Sequence, residues 1–285
     1  MFKIRSFRND GSYVTEHEYK SFTFNAGEIH PTIDVSNIDF PHQGIVEISA
    51  RISSGNDIVE LLNIKNIVDK HFQFHTKILK LYYTMFSRQD RAANIGESES
   101  LKVFCNLINS MKFDKVITVD NHSEVTNALL NNNDEISQLE IIKKIFPAKQ
   151  LNHTKMNYDY IISPDAGANK KASAIARYFN IEMIQADKVR CTVTGEITGT
   201  VVHASDTDLG GSRVLIVDDI CDGGRTVIEI AKVLKQKETD IVECYFTHGI
   251  FSKGTEVLYD AKIDHMFTTN SFKQEVNDKL TVYHL

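Results

Sequence analysis

The chain has 285 residues, with 32 Lys plus Arg against 38 Asp plus Glu, a formal net charge of −6, and no long basic block. Bulk electrostatics therefore point to neither a nucleic acid nor a membrane surface as partner. The N-terminal stretch from Met1 to Asp10 has no signal-peptide apolar core, and no uninterrupted apolar run approaches the roughly 18 residues of a membrane span, so a cytoplasmic protein is expected. The length fits two domains of about 100–200 residues.

In chain order, the first sixty residues read as irregular and partly antiparallel. Apolar, β-rich runs then recur at Ile78–Tyr83, Val116–Val119, Tyr160–Ile162, Val214–Val217 and Ile241–Phe246. Helical periods lie between them: Leu101, Phe104, Leu107, Ile108 and Met111 fall on one face, as do Val227, Ile230, Ala231 and Leu234. Short buried strands alternating with amphipathic helices predict α/β architecture with parallel, doubly wound sheets. The polar stretch Asn131–Glu135 and the region from Gln138 to Lys149 form the expected passage between domains, written as 1–140 and 141–285. Thr192 to Gly211 carries four glycines and few large apolar residues, which predicts a hairpin or a mobile loop beside a site. Cys105, Cys191, Cys221 and Cys244 have no metal-pair spacing and read as reduced packing residues. Asn121-His122-Ser123 and Asn152-His153-Thr154 match glycosylation sequons by chance.

The most informative junction is Val217-Asp218-Asp219-Ile220-Cys221-Asp222-Gly223-Gly224-Arg225-Thr226. Open α/β sheets place ligands at the carboxyl ends of their strands, where Asp218 and Asp219 fall. Gly223 and Gly224 let backbone N–H groups close around an anion at the start of the following helix. Acids for ribose hydroxyls or Mg2+ thus stand beside a phosphate cradle; the bland alternative is an Asp-capped helix after a strand. Elsewhere, Arg88 and Arg91 bracket Gln89 at a strand end, where guanidinium forks hold phosphates and an amide reads an adenine edge; a surface salt-bridge loop is the alternative. Lys188 and Arg190 alternate along an extended segment, so both can face one way and neutralise an anion, or form a solvated edge. No Walker A loop is present, because Gly249-Ile250-Phe251-Ser252-Lys253-Gly254-Thr255 lacks Lys after its second Gly.

Further segments follow in order: Phe24-Asn25-Ala26-Gly27-Glu28, Ser87-Arg88-Gln89-Asp90-Arg91, Asp120-Asn121-His122-Ser123, Ser163-Pro164-Asp165-Ala166-Gly167, Asp187-Lys188-Val189-Arg190 and Thr247-His248-Gly249-Ile250-Phe251-Ser252. This ordered set resembles the motifs of phosphoribosyl pyrophosphate (PRPP) synthetases, the ribose-phosphate diphosphokinases. The resemblance implies two phosphoribosyltransferase-like domains, each with a mainly parallel sheet flanked by helices, and Mg2+-dependent transfer of the β,γ-diphosphate of ATP to the anomeric hydroxyl of ribose 5-phosphate. It implies catalytic roles for Lys188 and Arg190, and ATP contacts from Phe24, Glu28, Arg88, Gln89 and Arg91. Ribose-phosphate binding falls to Asp218, Asp219, Asp222, Gly223, Gly224, Arg225 and Thr226, and Mg2+ placement to His122 and Asp165. A nucleotide site shared across a subunit contact implies a homodimer or hexamer.

The match departs from the family in three places. Arg225 stands where the phosphate loop usually keeps a small residue, Ala26 replaces the usual Asp, and the chain reaches Leu285 without the family's C-terminal helix. Arg225 motivates a second acceptor, ADP-ribose, which would place the chemistry in NAD metabolism. A non-catalytic regulatory subunit is a third reading, opposed by the retention of His122, Asp165, Lys188 and Arg190.

Overall fold

The computed structural model describes residues 2–36, 44–72, 75–146, 157–190, 197–204 and 207–285, with only the backbone of 188–190 and 197–199. The chain divides into two compact units, residues 1–136 and 137–285.

In the first unit, β1 (Phe2–Phe7) pairs antiparallel with both β2 (Tyr13–His17) and β5 (Gly44–Ala50). Beside them β3 (Tyr19–Thr23) and β4 (Ile29–Ile33) form a separate antiparallel hairpin, so the described part of the opening sixty residues is partly antiparallel, as expected. The chain then turns to parallel pairing through α1 (Gly55–His71), β6 (His75–Leu81), α2 (Ser100–Ser110), β7 (Lys115–Val119), α3 (Glu124–Leu129) and β8 (Asn133–Ile136). The resulting sheet has the order β2-β1-β5-β6-β7-β8. Ser54 and Asp57 form a reciprocal capping box at the start of α1. On α2 the residues Leu101, Phe104 and Ile108 are buried, as the helical period requires.

Strand β8 falls within the expected passage between domains. Its sequence, Asn133-Asp134-Glu135-Ile136, is polar, yet it pairs in parallel with β7. Polar side chains are tolerated there because the strand lies at the sheet edge and bonds its own neighbours: Thr118 Oγ1 donates to Asn133 Oδ1 at 3.1 Å, and Asn133 Nδ2 donates to Asn127 Oδ1 at 2.7 Å.

The second unit contains α4 (Gln138–Ile145), β9 (Tyr160–Ser163), α5 (Asn169–Phe179), β10 (Glu182–Arg190), β11 (Ile197–Val202), β12 (Arg213–Cys221), α6 (Arg225–Gln236), β13 (Ile241–Gly249), α7 (Glu256–Asp260), β14 (His265–Thr269) and β15 (Leu280–Tyr283). Its sheet runs β11-β10-β9-β12-β13-β14-β15, parallel throughout except for β11 against β10. Central β12 reads as a continuous apolar run because both its faces are covered. Val214, Leu215, Ile216 and Val217 are all buried, as are Val227, Ile230, Ala231 and Leu234 of α6. At about 25 cal/mol per Å2 of apolar surface, each of these larger side chains contributes roughly 1.5–3 kcal/mol. The described part of the glycine-rich segment supplies β11, one arm of a hairpin with β10; residues 192–196, 205 and 206 lie outside the described residues. Among the described residues no helix is long and apolar enough to cross a membrane.

Candidate active site

The second unit gathers its candidate residues at the carboxyl ends of β9 and β12. Strand β12 runs past its apolar segment to Cys221, because β13 extends alongside and offers partners: Asp218 lies opposite Phe246 and Ile220 opposite His248. The two acids therefore sit on regular strand, which fixes their direction. Asp218 Oδ1 accepts the Asp219 N–H at 2.9 Å, and Gln138 Nε2 donates to the Asp218 carbonyl at 3.0 Å. Loss of water, the Asp219 carboxylate and then the Asp165 carboxylate push the Asp218 carboxyl well above the ordinary range. Asp219 and Asp165 are thus each close enough to Asp218 to raise it, an arrangement that a divalent cation or sugar hydroxyls would relieve.

Asp165 follows β9. Its Oδ1 accepts from the N–H groups of Gly167 at 3.1 Å and Ala168 at 3.2 Å, which holds the turn into α5. That helix presents a residue the motif reading missed: Lys171 Nζ lies 3.1 Å from Asp219 Oδ2. Their separation of 48 positions in sequence leaves no local signal of the pair.

The phosphate-loop geometry follows from Gly224. It caps α6 with φ of 74°, a conformation open to glycine, and a Cβ there would lie 2.7 Å from Leu258 Cδ2. Gly223 is overlaid by the Lys253 stem, whose Cε would lie 3.5 Å from an added Cβ. The β13–α7 loop that carries Lys253 is tied to the cradle by N–H bonds from Ile250 and Phe251 to the Cys221 carbonyl and from Ser252 to that of Asp222. Arg225, the first residue of α6, is exposed, while Asp222 and Thr226 are half-buried. Lys253 is the second missed residue; only this loop-to-loop approach brings it to the cradle. Burial pushes the Cys221 thiol up to about 12, so it is no nucleophile at neutral pH. His248 is buried with Nδ1 3.0 Å from Ser271 Oγ, a packing role.

Lys188 and Arg190 occupy β10, opposite Thr200 and Ile197 of β11. Their extended backbone matches the expectation, and their side chains lie outside the described residues.

The first unit gathers its candidates at the carboxyl ends of two neighbouring strands. After β6 come Ser87, buried, and Arg88, Gln89 and Arg91, exposed. Arg91 Nε approaches its neighbour Asp90 at 3.7 Å, an exposed pair of little energetic weight. After β7 come Asp120 and Asn121, buried, and His122, exposed. Burial of Asn121 also removes it as a glycosylation site in the folded chain; Asn152 lies outside the described residues. Phe24 and Glu28 stand apart on the β3–β4 hairpin, whose turn closes by N–H bonds from Phe24 to the Glu28 carbonyl and from Gly27 to the Phe24 carbonyl, each 2.8 Å. Phe22 and Phe24 are exposed there and meet edge to face, with centroids 4.6 Å apart. Among the described residues, no three or more His, Cys, Asp or Glu side chains form a group that could hold a metal ion by themselves.

The central strand of this parallel sheet ends in paired acids followed by two glycines, and the model of the phosphoribosyl transferase domain matches residues 132–279: the chain belongs to that family. More particularly, it is similar to curated ribose-phosphate pyrophosphokinases. It is 28% identical to that of Mycoplasmopsis pulmonis over 76% of this chain and 66% of the relative, and 27% identical to that of Thermococcus kodakarensis over 95% and 90%. The aligned part thus spans about two thirds of the first relative's length and nearly all of the second's. The fold matches the crystal structure of phosphoribosylpyrophosphate synthetase from Mycobacterium smegmatis with a TM-score of 0.75 and 19% identity, covering 95% of this chain and 87% of the other. The α/β expectation and the resemblance to PRPP synthetases are both borne out.

Proposed function

We propose that this protein is a ribose-phosphate diphosphokinase, which transfers the β,γ-diphosphate of ATP to the anomeric hydroxyl of ribose 5-phosphate and yields PRPP and AMP. The observation that carries this reading is the β12–α6 junction, where Asp218 and Asp219 stand beside the Gly223-Gly224 cradle in a chain similar to curated pyrophosphokinases over 95% of its length.

Asp218 and Asp219 hold the ribose hydroxyls, and Asp222 to Thr226 wrap the 5′-phosphate at the α6 N-terminus. Phe24, Glu28, Arg88, Gln89 and Arg91 hold the nucleotide. Lys188 and Arg190 neutralise charge that develops as the diphosphoryl group moves, a task for positioned cations rather than a covalent intermediate. The hydroxyl oxygen bonds to the β-phosphorus as the bond to the α-phosphate oxygen breaks, and AMP departs with that oxygen.

Mg2+ fits the donors present. The carboxylates of Asp219 and Asp165 each raise that of Asp218, and Mg2+ ordinarily retains several waters beside one or two carboxylates. His122 and Asp165 are the residues assigned to it, and its contribution is to neutralise phosphate charge. The exposed Phe22–Phe24 tip would complete a nucleotide site across a subunit contact, which makes at least a cytoplasmic homodimer, or a hexamer, the active form.

A second reading has a specific observation in its favour. Arg225 opens α6 directly after Gly224 and the Lys253 stem overlies Gly223, so two basic residues flank the cradle, which suits an acceptor carrying a diphosphate, ADP-ribose. The test is incubation with ATP, Mg2+ and either ribose 5-phosphate or ADP-ribose, reading nucleotide and product. AMP formed in proportion to a pyrophosphorylated sugar is the expected result. Release of ADP with a monophosphorylated sugar overturns the proposal.

A further inference from the structure

We infer that Asn121 is a positioning residue, a buried amide that locks the loop bearing His122 to the loop bearing Arg88 and Gln89. The inference rests on the diphosphokinase reading for what those loops bind. Asn121 is 3% exposed. A polar side chain there costs desolvation unless its hydrogen-bonding groups are met.

Its bonds close a network within the first unit. Thr84 Oγ1 donates to Asn121 Oδ1 at 2.9 Å, and Asn121 Nδ2 donates to Thr118 Oγ1 at 2.7 Å and to Asn127 Oδ1 at 2.8 Å. The Asn121 backbone N–H donates to Glu135 Oε1 at 2.9 Å, while Glu135 Oε2 accepts from Asn127 Nδ2 at 2.5 Å. Asn121 is thereby fixed to β7, α3 and β8, and through Thr84 to the segment after β6.

Both tied loops are strained. Phe86 has φ of 64° and Asp120 has φ of 41°, left-handed conformations that are uncommon outside glycine, and Phe86 is a bulky residue for one. Such a conformation persists only when its surroundings over-determine it. Thr84 supplies that constraint twice, since its carbonyl accepts the Ser87 N–H at 3.2 Å while its hydroxyl holds Asn121. The strained residues lie just before Arg88 and His122, at the ends of the neighbouring parallel strands β6 and β7. Such strand ends are where α/β sheets bind ligands. A one-residue shift of either loop would change the spacing between the guanidinium and imidazole groups, and the Thr84–Asn121 bond opposes it.

The experiment compares Thr84→Val, which keeps shape but removes the donor, with Thr84→Ser, which keeps the donor. Loss of one neutral buried hydrogen bond changes an equilibrium by about five- to tenfold. Thr84→Val is expected to raise the KM of Mg·ATP by about that factor, with the KM of ribose 5-phosphate within twofold of wild type and Thr84→Ser restoring Mg·ATP. Calorimetric titration of Mg·ATP without acceptor should show the same loss in Kd. A lower melting temperature with unchanged Mg·ATP binding, or equal rises in both KM values, overturns the inference. If wild type releases no AMP with ribose 5-phosphate, the diphosphokinase reading fails, and the binding titration alone still decides the role of Thr84 and Asn121. Should Thr84→Val not fold, Asn127→Ala, which breaks the opposite side of the network, is measured in the same way.

Discussion

Lys171 Nζ on α5 lies 3.1 Å from Asp219 Oδ2 on β12, so one ammonium group partly neutralises the acid-rich end of the central strand. Asp219 is buried and Asp218 beside it is pushed up by that same carboxylate. Removing one partner of a buried pair leaves an uncompensated charge, which costs about 3–5 kcal/mol at full burial and less here, where Lys171 is half-buried. Lys171→Met should therefore lower the melting temperature, and Mg2+ should restore more of the loss in the variant than it adds to wild type. Identical Mg2+ responses in the two proteins would show that the ammonium and the metal do not answer the same carboxylates.

Arg225 opens α6 next to Gly224, and the stem of Lys253, on the β13–α7 loop, overlies Gly223. A charge-assisted hydrogen bond contributes on the order of 1.5–3 kcal/mol. Arg225→Gly and Lys253→Gly should each raise the KM of the true acceptor by roughly tenfold or more and leave that of ATP nearly unchanged. With ADP-ribose as acceptor, the loss exceeds that seen with ribose 5-phosphate. Negligible effects on both acceptors would place the two cations in solvent and leave ribose 5-phosphate as the simpler choice.

His17 is buried against Phe72, with a centroid separation of 5.1 Å, and its Nε2 lies 2.7 Å from Ser6 Oγ. Burial holds its imidazole below the ordinary value despite the opposing influence of Asp34, and His75 is lowered by burial, by Lys77 and by His17. The unfolded chain, with His near 6.5, then binds more protons than the folded chain in the window just below that pH. Stability is full above about pH 6.5 and falls as pH drops through the lowered folded values. Urea midpoints should be lower at pH 5.5 than at pH 7.5, and His17→Gln should reduce the difference. A midpoint that rises on acidification contradicts the assignment.

The chain's local patterns were sufficient for its architecture and for the cradle. A continuous apolar run marked β12, whose two faces are both covered, and period-3.6 repeats of apolar residues marked α2 and α6, since burying one face of a helix imposes its own spacing on the sequence. The pair Gly223-Gly224 likewise announced a tight turn, because φ of 74° at Gly224 excludes most side chains. Other features had no such signature. The polar run Asn133-Asp134-Glu135 gives no sign of being a strand, and it becomes one because its polar groups bond Thr118, Asn121 and Asn127. Lys171 reaches Asp219, and Lys253 covers Gly223, only after parallel strand order has brought together segments 48 and 30 residues apart. A charge or amide whose partner lies so far along the chain leaves no period to read. Its role was decided by sheet order and by the loops at the strand ends, which only the tertiary structure contains.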